Sequence, residues 1–253
     1  MTPGPHPVRL LVVTAVTAER EAAARGLDPA TPATEIHLPG HVARRTGASG
    51  ATPGPLRADL LAAGVGPAAA AAATATALTA AALRDEPYDL VVAAGIGGGF
   101  VPHAPVGSVV VADRIIAADL GADSADGFLS VETLGFGRAT HVCPPRLSTA
   151  VALALGATRA PVLTVTTATG TAARARTLTK AHPGAGAEAM EGFGVAQAAA
   201  AHAVPVLEIR TISNEVGPRD RAAWRMGEAL TALQEAFASL RTVLEKGENP
   251  PYG

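Results

Sequence analysis

The sequence predicts an α/β protein: a single three-layer α/β/α domain over residues 1–253, with a central mixed β-sheet covered by helices on both faces. Three observations lead there. Runs of branched apolar residues such as Val8-Arg-Leu-Leu-Val-Val-Thr14 and Tyr88-Asp-Leu-Val-Val-Ala-Ala94 have the pattern of strands buried on both faces. Between such runs lie segments long enough for helices, several rich in alanine, and strands that alternate with helices build parallel or mixed sheets. At 253 residues the chain is also long enough to bury one large core without a second domain.

The first strand covers Val8–Thr14, and a helix begins near Ala18. From Pro29 to Pro55 the composition shifts to Pro, Gly, Thr, His and Arg, which predicts irregular structure with strands at Glu35–Leu38 and Val42–Thr46. Leu56–Ala63 is the next strand, broken by Gly64-Val-Gly-Pro67; Pro67 suits the first turn of a helix, and Ala68–Leu83 supplies that helix. Tyr88–Ala94 is a buried strand ending in the turn Gly95-Ile-Gly-Gly-Gly-Phe100. Gly107–Ala118 favours extended backbone through Val109, Val110, Val111, Ile115 and Ile116. No element is assigned between there and the strand Pro161–Thr167, which leads to a helix over Ala172–Lys180. A helix over Ala187–Ala203 precedes the strand Val204–Ser213. The last helix, Ala222 to Lys246, places Met226, Leu230, Leu233, Phe237, Leu240 and Leu244 at spacings of three and four, a core-facing stripe. Residues 1–7 and 247–253 are expected to be flexible tails.

Composition excludes several classes of function. The apolar fraction is 48% but aromatics are only 3%, so Val, Leu, Ile and Ala must fill the core. A net charge of −2, with no long run of one sign, gives no footprint for nucleic acid or an anionic membrane; a small, weakly charged ligand fits better. Cys143 is the only cysteine, which excludes an intrachain disulfide and a thiolate metal cluster. The start of the chain lacks a basic region and a signal-peptide core, and the tract Ala68–Ala82 falls short of the ~20 strongly apolar residues that span a bilayer. A soluble, cytoplasmic protein is expected.

In such folds ligands bind at the carboxyl ends of strands. That rule singles out Thr14–Glu19, Gly64–Pro67, Gly95–Phe100, Thr166–Thr171 and Ser213–Asn214. The glycines at 95–99 lack the spacing of a dinucleotide-binding loop, no phosphate-binding G-x-x-x-x-G-K-[ST] sequence exists, and no G-x-S-x-G elbow is present. Of the seven histidines, His37 and His41 are separated by Pro39-Gly40, which prevents the helical spacing of a metal site. No metal or cofactor is expected. What remains is a set of polar residues at strand and helix ends: Glu19, Glu191 and Asn214. Each has an ordinary structural reading, the glutamates as favourable charges in first helical turns and the asparagine as a turn former.

Together these residues resemble the nucleoside phosphorylase and nucleosidase superfamily along nearly the whole chain. The resemblance is carried by Thr14-Ala-Val-Thr-Ala-Glu19, Gly64-Val-Gly-Pro-Ala-Ala, Gly95-Ile-Gly-Gly-Gly, the pair Met190-Glu191 and the turn Ile212-Ser-Asn214. It implies the nucleoside phosphorylase-like fold, Glu19, Glu191 and Asn214 as catalytic residues, and Met190, Gly97, Gly98, Thr169 and Phe193 as substrate-binding residues. Methylthioadenosine nucleosidases have Asp where this chain has Asn214. The resemblance is closer to the branch that hydrolyses an inosine-like nucleoside, shared in Thr164–Thr171 and Ser213-Asn-Glu-Val-Gly-Pro-Arg219. Phosphorylases of the superfamily usually carry an arginine in a Gly-Asp-Pro-x-Arg turn after the first strand; here that turn lacks it, so water is the expected nucleophile. A methylthioadenosine or adenosylhomocysteine nucleosidase, a phosphate-dependent phosphorylase and a non-catalytic nucleoside sensor are the alternatives. The implied partner is a small purine nucleoside, the implied assembly a homo-oligomer, and Arg174, Arg176 and Arg219 are candidates for the substrate's non-purine end.

Overall fold

Beginning at Val8, branched apolar residues run almost without interruption to Thr14, and such a run can be stable only where both of its faces are covered. The structure, a computed structural model, describes residues 7–28, 34–47 and 54–246; the tails expected at 1–7 and 247–253 fall outside these apart from Pro7. Its elements in chain order are β1 (Val8–Thr14), α1 (Thr17–Leu27), β2 (Thr34–Leu38), β3 (His41–Thr46), β4 (Leu56–Ala62), α2 (Pro67–Ala82), β5 (Leu90–Gly99) and β6 (Val109–Ala117). There follow β7 (Gly121–Ser124), β8 (Gly127–Ser130), β9 (Thr140–Val142), α3 (Pro145–Leu155), β10 (Thr158–Thr164), α4 (Ala172–Ala181), β11 (Ala187–Ala189), α5 (Gly192–Ala201), β12 (Val206–Glu215) and α6 (Met226–Lys246).

The sheet runs β11-β10-β6-β12-β5-β1-β4-β3-β2, with β9 beside β6. It is mixed: β1 pairs in parallel with β4 and β5, whereas β12 is parallel to β5 and antiparallel to β6. β11 also pairs antiparallel with β5, so β11, β10, β6, β12 and β5 close into a ring. Helices α2 and α5 pack together, as do α1, α3 and α6, and between them lies a core of aliphatic and alanine side chains such as Leu10, Val12, Leu60, Val92, Ile115 and Leu207. The three-layer α/β/α arrangement predicted from the sequence is the one observed.

Two close helix contacts explain the demand for small residues. In α2 the buried positions Ala70, Ala73, Thr74, Ala77, Leu78 and Ala81 form one helical stripe; against it, a Cβ on Gly194 of α5 would overlap the Pro67 carbonyl. Likewise a Cβ on Gly26 of α1 would overlap the Gln234 carbonyl and come within 2.8 Å of the Phe237 Cβ of α6. At the other end of the sheet, Asp59 on β4 accepts two bonds from Arg45 on β3, at 2.6 and 2.7 Å, and one from the Tyr88 hydroxyl at 2.6 Å.

Four sequence-based boundaries need correction, the first being the strand expected at Pro161–Thr167, which is β10 at Thr158–Thr164. Gly95–Gly99 is not a turn but the second half of β5, because the glycines pair with β12 on one side and β11 on the other. The segment expected as one helix from Ala187 to Ala203 is divided: Ala187–Ala189 joins the sheet beside β10, and the helix starts only at Gly192. The last helix begins at Met226 rather than Ala222, after a single 3₁₀ turn at Arg221–Ala223, and Met226 is 44% exposed rather than part of the core stripe. The unassigned stretch holds β7, β8, β9 and α3; α3 has Pro145 in its first turn and Gly156 at its end in the left-handed conformation.

Candidate active site

The segments after β1, β4, β10, β11 and β12, together with the glycine half of β5, converge on one cavity of about 350 Å³. Among its lining residues are Glu19, Val65, Gly97, Gly98, Thr169, Glu188, Met190, Glu191 and Asn214. All five stretches singled out by the carboxyl-end rule therefore contribute.

Glu19 stands in the first turn of α1. Its Oε2 accepts from the backbone N–H of Ala15 at 3.0 Å and of Val16 at 3.2 Å, which closes the start of the helix in the manner of a capping box. Its Oε1 accepts from Ile96 N–H at 2.9 Å on β5. The carboxylate can approach β5 this closely only because Gly95 has no side chain, since a Cβ there would come within 2.6 Å of Oε1. Burial raises the proton affinity of Glu19; the Ile96 and Val16 amides and the Arg210 charge oppose this, and the Glu191 charge adds to it.

Glu191 is the residue at which α5 starts. Its Oε1 accepts from Gly66 N–H at 3.2 Å, and its Oε2 from Arg210 Nη1 at 3.2 Å. Gly66 stands at φ +97, a backbone conformation that glycine enters without strain, and this aims its N–H across to Glu191. Arg210 donates through Nε to Glu208 Oε1 at 2.8 Å, so one guanidinium ties two carboxylates of the core together. Glu188 lies beside them on β11, accepting from Thr169 N–H at 2.8 Å and from its hydroxyl at 2.5 Å; burial raises its proton affinity.

At Asn214 the register of β12 against β5 slips: Ile212 faces Gly97 and Asn214 faces Gly98, leaving Ser213 as an extra residue. Such a bulge turns the next side chain out of the ladder. The Ser213 hydroxyl donates to Asn214 Oδ1 at 2.8 Å, and Asn214 Nδ2 donates to the Glu215 carbonyl at 2.9 Å. These two bonds fix which way round the amide lies. By count they leave it one N–H and one lone pair. The outer part of the cavity is lined by Val216, Pro218, Arg219, Trp224 and Met226; the Arg219 guanidinium carbon lies 5.6 Å from the centre of the Trp224 ring.

Of the residues named from the sequence, Glu19, Glu191, Asn214, Met190, Gly97, Gly98 and Thr169 line this cavity. Phe193 does not. Its ring is buried against His141 at 5.2 Å and lines a separate apolar cavity with Ala68, Ala71 and Leu120. Of the three arginine candidates only Arg219 reaches the lining. The residues that sequence reasoning passed over are Glu208, Arg210 and Trp224. A signal was present: two charged residues two apart in the mostly apolar first half of β12, and the chain's single tryptophan. Among the described residues no group of three or more His, Cys, Asp or Glu side chains is arranged to hold a metal ion.

A mixed sheet with two glutamates and an amide gathered in one cavity at the carboxyl ends of its strands describes an α/β protein with a built small-molecule pocket, and residues 45–246 match the model of the phosphorylase superfamily. The chain belongs to that superfamily. More particularly, it is 63% identical to the futalosine hydrolase of Streptomyces coelicolor, over 94% of this chain and 97% of that one. It is 47% identical to the futalosine hydrolase of Acidothermus cellulolyticus, over 92% and 90% of the two chains. Among solved structures it is similar in fold to a mutant futalosine hydrolase of Helicobacter pylori, with a TM-score of 0.77, 15% identity and coverage of 92% of this chain and 98% of that one. A nucleosidase acting on S-adenosylhomocysteine from Streptococcus pyogenes gives a TM-score of 0.77 at 20% identity, over 97% and 98% of the two chains.

Proposed function

We propose that this chain is a nucleosidase that hydrolyses the N-ribosidic bond of futalosine, releasing hypoxanthine and dehypoxanthine futalosine on the futalosine route to menaquinone. The observation that carries this reading is the meeting of Glu19, Glu191 and Asn214 in one cavity. The identity to curated futalosine hydrolases supports it.

Breaking an N-ribosidic bond builds positive charge on the ribose while electrons move into the departing base, as in glycoside hydrolysis. Glu191, accepting from the ribose hydroxyls, holds the sugar and places negative charge beside the developing cation, an interaction stronger in the transition state than in the ground state. Met190 packs against the sugar. Glu19 takes a proton from the attacking water, and its burial keeps enough basicity for that task; a positioned general base is worth about 10²–10⁴ in rate. Asn214 reads the base: its free N–H donates to O6 of hypoxanthine, and its free lone pair accepts a hydrogen bond from N7–H once N7 has taken up a proton from solvent as the bond breaks. Arg219, its guanidinium carbon 5.6 Å from the centre of the Trp224 ring at the outer part of the cavity, meets the non-purine end of the substrate.

The proposal extends to a cytoplasmic homo-oligomer. A second copy is expected over Leu120, Phe128, Leu129 and Phe136, which are 37–82% exposed, and over the apolar cavity that Leu120 helps to line. Among the described residues no helix is long and apolar enough to cross a membrane.

The test is incubation with futalosine, inosine and methylthioadenosine in parallel, with and without phosphate. Phosphate-independent release of hypoxanthine from futalosine is the expected result. Release of adenine from methylthioadenosine as the faster reaction, or a requirement for phosphate with formation of a sugar 1-phosphate, overturns it. Light scattering on the same sample gives the mass that decides between monomer and oligomer.

A further inference from the structure

Strand β12 carries two charges into the core. Glu208 is fully buried and Arg210 is 1% exposed. Being two residues apart on a strand they point to one face, where Glu208 Oε1 accepts from Arg210 Nε at 2.8 Å and Arg210 Nη1 reaches Glu191 at 3.2 Å. The carboxylate of Glu208 fills the place where a side chain at 192 would begin, since a Cβ on Gly192 would overlap both of its oxygens. Stability alone does not account for such a pair. Withdrawing two ions from water costs several kcal/mol each, and apolar residues of similar volume commonly do as well or better. Moreover Glu208 Oε2 and Arg210 Nη2 make no hydrogen bond among the described residues.

We infer that Glu208 is a positioning residue for the hydrolysis: as the counter-charge to Arg210 it anchors that guanidinium on Glu191 and offsets its positive field at Glu19. The inference rests on the reading of Glu19 as the base. The groups that face Glu19 are Arg210 from β12, Glu191 at the start of α5, and the backbone amides of Ala15, Val16 and Ile96. Those that face Glu208 are Arg210, Glu191 and the Cys143 thiol, which burial keeps protonated. Arg210 favours the ionised form of Glu19 and so weakens it as a base. A negative charge on the far side of the guanidinium restores proton affinity to Glu19 without touching substrate, and leaves Arg210 bridging two carboxylates rather than drawn toward one.

Glu208→Gln keeps the shape and the acceptor for Arg210 Nε but removes the charge. With Arg210 no longer offset, the Glu19 carboxylate is favoured, and the acid limb of kcat/KM against pH moves down by about one unit, a tenfold change in proton affinity. The kcat for futalosine falls on the order of tenfold, within the factor of about 10²–10⁴ that a general base supplies, while KM changes little. Glu208→Asp, which keeps the charge, leaves the acid limb in place. Should Glu208→Gln fail to fold, Gly192→Ala displaces the same carboxylate and is expected to shift the limb in the same direction. An acid limb unmoved in Glu208→Gln, or in Gly192→Ala where Glu208→Gln does not fold, overturns the inference. If Glu19→Gln turns over at nearly the normal rate, the reading of Glu19 as base falls instead; if Glu19→Gln is inactive and the Glu208→Gln limb is unmoved, only the role of Glu208 falls.

Discussion

Asn214 is held by Ser213 on its oxygen and by the Glu215 carbonyl on its nitrogen, so the donor and the acceptor it has left are fixed in kind as well as in place. In the proposed reaction that pattern matches a 6-oxopurine and mismatches adenine, whose amino group donates where hypoxanthine accepts. Asn214→Asp is expected to lower kcat/KM for the 6-oxopurine nucleoside and raise it for an adenine nucleoside, moving the ratio by about 10² or more because a wrong pairing leaves a buried polar group unmatched. A two-substrate kinetic comparison reads this directly, and an unchanged ratio removes Asn214 from base recognition. Glu19→Gln is expected to abolish hydrolysis while binding, followed by calorimetry with hypoxanthine, persists. In the unmutated protein burial holds Glu19 above the ordinary carboxylate value of 4.5, so activity is expected to fail on the acid side at a pH higher than that. The same shift acts on stability with a definite sign: a raised folded-state value means stability from this group is present below the unfolded value and withdrawn as pH rises through the folded one. Glu19, Glu191 and Asn214 were legible in the sequence because each follows or precedes an element whose end is marked by glycine, proline or a change of period. Glu208 and Arg210 were not read, because a charge inside an apolar strand makes sense only once its partner at Glu191 is brought alongside from another element.

Among the elements, the strands were the most legible and the glycines the least. A run such as Gly95–Gly99 carries no side chains from which a period of two can be read, and its extension of β5 follows from pairing with β11 and β12. Alanine misled in a comparable way at 187–189, where Ala187 and Ala189 have helical propensity yet join the sheet. α3 was passed over although Pro145 and Gly156 mark its two ends. The close crossing of α1 and α6 supplies a test at this scale. Gly26→Ala forces a Cβ against Gln234 and Phe237, and overpacking of this sort costs about 1–3 kcal/mol. Chemical denaturation is expected to show that loss while kcat per folded molecule stays the same, because neither helix face involved lines the cavity.

Across the whole molecule, sheet topology gathers the ends of β1, β4, β10, β11 and β12 around one cavity and places the buried carboxylates of Glu19 and Glu191 deep and the Arg219–Trp224 pair outward. In the proposed function this separates recognition of the base and ribose from recognition of the rest of the substrate. Arg219→Gln is therefore expected to raise KM for futalosine about tenfold, the equivalent of ~1.4 kcal/mol, with KM for inosine unchanged; equal effects on both substrates would place Arg219 elsewhere in the mechanism. The apolar pattern foretold a covered mixed sheet, but the lateral closure of β11 onto β5 depends on a three-residue strand that no pattern announces. That closure has a kinetic meaning. Strands that meet in a ring offer no outer edge from which to unzip, so β5, β12 and β6 can open their amides only when the ring as a whole lets go. Native-state hydrogen exchange is expected to find in β5 and β12 the slowest amides of the protein, exchanging at the rate of global unfolding, with the β2–β3 hairpin at the free side of the sheet exchanging far sooner.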